Sequence, residues 1–125
     1  MPLVSEPVLG FVTDTAAAFM AAGIAESVEY GQPYNAGSQR AIMVGDLIDV
    51  IIELTSSRKP VLQDDKRLRP PNSEVRALLA NCTRFAHATG WSPRVKLREG
   101  LERTVEWWGC RLYAKQVRRE QDFIT

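Results

Sequence analysis

Apolar residues recur at helical spacing in two stretches of the chain. Val44, Leu47, Ile48, Ile51 and Leu54 fall at i, i+3, i+4, i+7 and beyond, and Val50 and Ile52 widen the stripe. This predicts a substantially buried helix over 45–56. Leu97, Leu101, Val105, Trp108 and Leu112 make a second stripe, with Arg98, Glu99, Glu102, Arg103 and Glu106 mainly on the other face. That pattern predicts an amphipathic helix over 97–115. A third helix, over 14–27, is read from composition rather than spacing. Ala16, Ala17, Ala18, Ala21 and Ala22 surround Phe19 and Met20, and Thr13 or Asp14 stands where a cap belongs. A shorter run, 82–89, opens after Asn81 as a cap and closes at Gly90 as a left-handed C-terminal residue. Trp91 and Pro93 then make a corner into the last helix.

Between these runs lie helix breakers. Residues 31–37 (GQPYNAG) interrupt the chain and offer Tyr34-Asn35-Ala36 as a short strand. Phe11-Val12, Pro60-Val61-Leu62-Gln63 and the run from Val75 to Leu79 read as further short strands. Arg69-Pro70-Pro71 is extended, because each proline fixes its own φ and disfavours helix just before it. Residues 1–10 form an extended lead-in, and residues 113–125 a basic, mixed-charge extension that frays toward its end. The expectation is one α+β domain over 1–125, with short strands in two sheet elements and about three main helices.

Composition narrows the class without naming a function. At 125 residues the chain is one domain, and 45% hydrophobic with 25% charged residues is ordinary for a globular protein. No apolar run approaches the roughly 18 residues of a membrane span. The start carries Glu6 and no basic cluster, so it does not read as a signal peptide. Cys82 and Cys110 lack Cys-x-x-Cys spacing, which favours packing roles in a reduced, cytoplasmic setting over a disulfide or metal site. The net charge of +1 hides a separation: residues 1–57 hold seven acids against Arg40 alone, and residues 58–125 hold fifteen bases against eight acids. Such a division fits an anionic partner, or a fold in which the two halves pair with each other.

The run from Arg69 to Trp108 carries RPPNSEV, then N-x-T, then G-W-x-P-x-V-x-L-x-E-G-L-x-x-T-V-E-W-W. This combination resembles the C-terminal end of the extended short-chain dehydrogenases, the NAD(P)-dependent nucleotide-sugar epimerases and dehydratases. FVTDTAAAF resembles the family's V-x-D-x-A-x-A helix start, and Tyr34-Asn35-Ala36-Gly37 its Y-N-x-G segment. The resemblance spans about 11–108. It implies the smaller C-terminal lobe, which closes over a nucleotide-sugar, while dinucleotide binding and chemistry belong to a Rossmann domain.

Two checks ask whether that chemistry is present in these residues. The close glycine spacing that brings a helix N-terminus to a pyrophosphate occurs nowhere among the eight glycines. The residues four after Tyr30, Tyr34 and Tyr113 are Tyr34, Ser38 and Val117, so no Tyr-x-x-x-Lys pair exists. No cofactor, no catalytic residue and no activity by this chain alone are therefore expected. The family's Arg-Asp-Phe lead-in is also absent, since Pro7-Val8-Leu9-Gly10 stands there.

The resemblance implies that Arg69 faces the diphosphate, with Arg67 and Lys66 adding positive field and Ser73 or Asn72 reaching sugar hydroxyls. A guanidinium fork suits phosphate oxygens, although Arg67 and Arg69 could equally be solvated or pair with Asp64, Asp65 or Glu74. His87 stands alone, without a carboxylate or cysteine arranged for catalysis. Asp14 reads as a helix cap. Trp91, Trp107 and Trp108 read as corner and core aromatics. The expected partners are a nucleotide-diphosphate sugar, a Rossmann-domain chain and a second copy in a homodimer. A protein-interaction module without a small-molecule ligand is the alternative. The tail (Arg111, Lys115, Arg118, Arg119) also holds Glu120 and Asp122 and no interleaved aromatics, so neither nucleic acid nor membrane is an expected partner.

Overall fold

The computed structural model describes residues 9–62 and 81–117. They form four helices: α1 (Val12–Ile24), α2 (Val44–Thr55), α3 (Thr83–Thr89) and α4 (Leu97–Tyr113). No strand occurs among the described residues, so the expected α+β class with short strands is overturned.

The reason is local in each case. A strand needs a neighbour to complete its ladder. The Phe11 carbonyl instead accepts from the N–H groups of Asp14 and Thr15 (3.0 and 3.1 Å), which draws Val12 into α1. Tyr34 and Asn35 make side-chain contacts in place of a ladder. The Tyr34 hydroxyl accepts from the Glu29 N–H at 3.0 Å, and Asn35 Nδ2 donates to the Asn81 carbonyl at 3.5 Å. Val61 and Leu62 are exposed beside Pro60, which has no N–H to give. The proposed strand 75–79 and Gln63 lie outside the described residues.

The helices themselves fall where periodicity (α2, α4), alanine content (α1) and capping residues (α3) place them. At Asn81 the side-chain Oδ1 accepts from the Thr83 N–H at 3.0 Å, and Gly90 closes α3 with φ 69°. That left-handed geometry suits glycine. The Thr89 hydroxyl donates to the Phe85 carbonyl (2.8 Å) and accepts from the Trp91 N–H (3.1 Å), which fastens the corner after α3. Around that corner sits an aromatic centre. Phe85, 3% exposed, packs against Tyr34 and Trp91 with ring centroids 6.1 and 5.6 Å away. Cys82 and Ala18 complete the buried apolar set among the described residues.

α2 packs against α4 but buries none of its residues fully, contrary to the reading of a substantially buried helix. One neighbour covers only one side of a stripe as wide as Val44 to Leu54. The pair is tied at its surface by Arg98, whose Nη1 and Nη2 donate to the two Glu53 oxygens at 3.1 and 2.7 Å. This guanidinium, by hydrogen bonding first and charge second, holds the Glu53 carboxyl below its ordinary value of 4.5. A lowered folded pKa stabilises above the unfolded value and is lost as pH falls through the folded one. Both groups are solvent-exposed, so the contribution is small.

α4 approaches the start of α1 at Gly100. A Cβ at that position would stand 3.0 Å from Phe11 Cδ2 and 3.4 Å from Cγ, whereas one at Gly109 would meet nothing within 4 Å. The two glycines of one helix therefore have opposite meanings. Gly109→Ala should stabilise the protein by up to about 1 kcal/mol through helix propensity. Gly100→Leu should destabilise it by about 1–3 kcal/mol through overpacking against Phe11. Urea unfolding of both variants beside the parent chain measures the two changes.

Candidate functional site

A cleft lies where the segment before α1, the loop before α2 and the start of α4 meet. Its volume is about 630 Å³. Leu9, Phe11, Ile42, Val95, Leu97 and Leu101 supply an apolar floor, and Arg40, Arg94 and Lys96 supply cationic side chains with no acid among the lining residues. Volume and mixed lining fall within the range of small-molecule sites.

One buried side chain positions much of this wall. Asp14, 7% exposed, faces inward from the first turn of α1. Its Oδ2 accepts from the N–H groups of Arg94 and Val95 at 3.1 and 2.9 Å. The expected helix-cap role is thus replaced: Phe11 occupies the cap position by its backbone, and Asp14 clamps the loop entering α4. A carboxylate is worth burying only where donors meet it, and these two backbone donors have no helical partner of their own.

The opposite wall comes from 38–42. Gln39 adopts φ 54°, a left-handed conformation uncommon for a side chain of its size and here away from any helix end. It turns the chain between Ser38 and Arg40, both of which line the cleft. Ser38 Oγ is buried there without a hydrogen-bond partner, and Trp91 Nε1 is in the same condition near α3. Unsatisfied buried polar atoms are uncommon enough to be informative.

Outside the cleft three arginines are paired with acids, while Arg58, Lys59, Arg111 and Lys115 are in no ion pair among the described residues. Arg84 pairs with Glu29 at 3.0 Å and lies 4.7 Å from the Tyr34 ring centre, while Arg98 pairs with Glu53 and Glu102. Arg103 pairs with Glu99 along α4. Two of these pairs join the acidic and basic halves, so cross-fold pairing accounts for part of the charge separation. None of the ion pairs among the described residues engages Arg40, Arg94 or Lys96.

The expected site residues Arg69, Arg67, Ser73 and Asn72, and Lys66 with them, lie outside the described residues. His87 is exposed on α3, and no group of His, Cys, Asp or Glu able to hold a metal converges among the described residues. Cys82 is buried and Cys110 exposed. Trp107 and Trp108 are about half exposed, edge to face at 5.0 Å, with Arg111 4.7 Å from the Trp107 ring centre. They are surface aromatics of α4, whereas the core reading suits Trp91 alone. No described helix is long and apolar enough to cross a membrane. The cleft cations were beyond sequence reasoning because Arg40 stands more than fifty residues from Arg94.

No family model matches the chain. It is similar to the GDP-6-deoxy-D-mannose reductase of Pseudomonas aeruginosa, at 25% identity over 84 residues, which are 67% of this chain and 27% of that protein. An epimerase from Methanothermobacter thermautotrophicus superposes with a TM-score of 0.80 and 26% identity, covering 93% of this chain and 33% of that one. A UDP-glucose 4-epimerase from Thermotoga maritima, solved with UDP-glucose, gives 0.75 and 25%, covering 88% and 33%. The chain therefore spans about a third or less of the relatives it matches. Those relatives are epimerases and reductases that match the extended short-chain dehydrogenase family, and this chain is similar to part of such proteins.

The Asp14 clamp yields a direct test. Asp14→Ala leaves two backbone N–H groups without an acceptor and should cost about 2–4 kcal/mol, given roughly 1.5–3 kcal/mol for a hydrogen bond to a charged group. Asp14→Asn keeps a carbonyl acceptor and should recover part of that loss. Thermal and urea unfolding of the three proteins measures the order.

Proposed function

We propose that the chain is a nucleotide-sugar-recognition lobe of epimerase/dehydratase type, without oxidoreductase activity of its own. The observation that carries this reading is a pairing of two facts. The fold matches an epimerase across 93% of this chain, yet its 125 residues hold neither a glycine fingerprint nor a Tyr-x-x-x-Lys pair. Hydride transfer requires the dinucleotide to be held beside a proton donor, and neither part is encoded here. A Rossmann-bearing chain supplied separately would complete an enzyme. Arg69 is the expected phosphate contact, with Arg67, Ser73 and Asn72 beside it.

Calorimetric titration tests both halves of this reading. NAD⁺ and NADP⁺ should show no dissociation constant below roughly 10 μM, about −7 kcal/mol. UDP- and dTDP-sugars should bind weakly, and Arg69→Ala should weaken them about 10- to 150-fold, as one charge-assisted hydrogen bond implies. Tight NAD⁺ binding, or UDP-sugar affinity indifferent to Arg69, overturns the corresponding half.

A second reading, self-association, is favoured by one face of α1. Val12, Phe19, Met20 and Ile24 are each at least 70% exposed. At the helical repeat they share one side, opposite buried Asp14 and Ala18. Contiguous apolar surface of this kind is commonly covered, and a two-fold dimer is the commonest form of cover. Sedimentation equilibrium should show a dimer whose population falls in Phe19→Glu; a 14.0 kDa monomer at high micromolar concentration excludes it.

A further inference from the structure

We infer that the cleft formed by the segment before α1, the loop before α2 and the start of α4 is a phosphate-binding site in its own right, gripping the diphosphate of a nucleotide through Arg40, Arg94 and Lys96. As a nucleotide site it rests on the reading above, but its residues are different ones. Three cations share the lining of one cleft, with no carboxylate among its described lining residues. Arg84, Arg98 and Arg103 meet acids, whereas these three side chains, like Arg111 on α4, have no acid partner among the described residues. Unneutralised cations around a concave apolar floor raise the local potential toward an anion.

The backbone around them is fixed. Arg94 is anchored through its N–H to the buried Asp14, and Lys96 stands at the cap position of α4. That places the positive end of a 17-residue helix beside the same cleft. Arg40 follows the left-handed Gln39, a costly conformation retained where it turns Ser38 and Arg40 toward one wall. Ser38 Oγ, buried and without a hydrogen-bond partner, stands in the same wall. Leu9, Phe11, Ile42 and Leu101 offer the apolar surface on which a base or ribose would lie. An amphiphilic anion, charged at one end and flat or apolar at the other, is the ligand that this division of the lining fits.

The test titrates UDP and inorganic pyrophosphate into the full chain and into three variants: Arg40→Ala/Arg94→Ala, Lys96→Ala and Arg69→Ala. The cleft cations are exposed and make no ion pair among the described residues, so their removal should leave the circular dichroism spectrum and melting unchanged. We expect the double variant to weaken UDP at least tenfold and Lys96→Ala several-fold, with pyrophosphate affected in parallel. Unchanged UDP affinity in both cleft variants, with loss in Arg69→Ala, overturns the cleft and leaves the nucleotide-sugar reading standing. Pyrophosphate binding that depends on the cleft, without any UDP binding, retains the phosphate site and removes the nucleotide. Absence of binding by either ligand overturns both.

Discussion

The contact on which the rest of this structure depends is a single carboxylate oxygen shared by two backbone amides. Asp14 Oδ2 holds the N–H groups of Arg94 and Val95 across 80 and 81 residues of sequence. It joins the first turn of α1 to the corner that leads into α4, and it does so from a buried position. Two consecutive donors orient the loop as well as attach it. Immediately beyond, Gly100 lets the Phe11 ring lie against α4 without a Cβ in its way. The first turn of α1 is thus fixed to the start of α4 by one polar clamp and one close apolar contact.

The interior that this clamp supports is small. Phe85 with Tyr34 and Trp91 forms an aromatic centre, and among the described hydrophobic side chains only Ala18 and Cys82 are buried with Phe85. Large apolar side chains remain outside, on α1 and on the last turns of α4. Small folds bury a smaller share of their surface than large ones, and stability then leans on specific polar contacts. The chain also corresponds to about a third of its epimerase neighbours. In a longer protein, or in a complex, such faces are where further contacts would form.

Charge is arranged by the same economy. The acidic first half and basic second half meet at Glu29–Arg84 and Glu53–Arg98, both at the surface. Exposed pairs of this kind add little energy, but they set register between elements that apolar packing alone leaves loose. Three of the cations outside these pairs, Arg40, Arg94 and Lys96, line one cleft.

The elements legible from sequence were those with local causes. Periodic Val, Leu and Ile positions marked α2 and α4, alanine content marked α1, and Asn81 and Gly90 bracketed α3, because propensity and capping act within a few residues. The resemblance in the run from Arg69 to Trp108 likewise identified the relatives, since it rests on residue identity and spacing alone. Short strands were misread because extended, breaker-rich segments acquire that structure only if another segment completes the ladder, which no local pattern reveals. Asp14 looked like a cap for the same reason: a carboxylate near a helix start satisfies the local rule, and only the folded chain brings Arg94 and Val95 to it. Burial was overestimated along α2, whose stripe records the capacity to pack but not how many neighbours arrive. The convergence of Arg40, Arg94 and Lys96 belongs wholly to tertiary structure, because charge in sequence has a sign and a position but no direction in space.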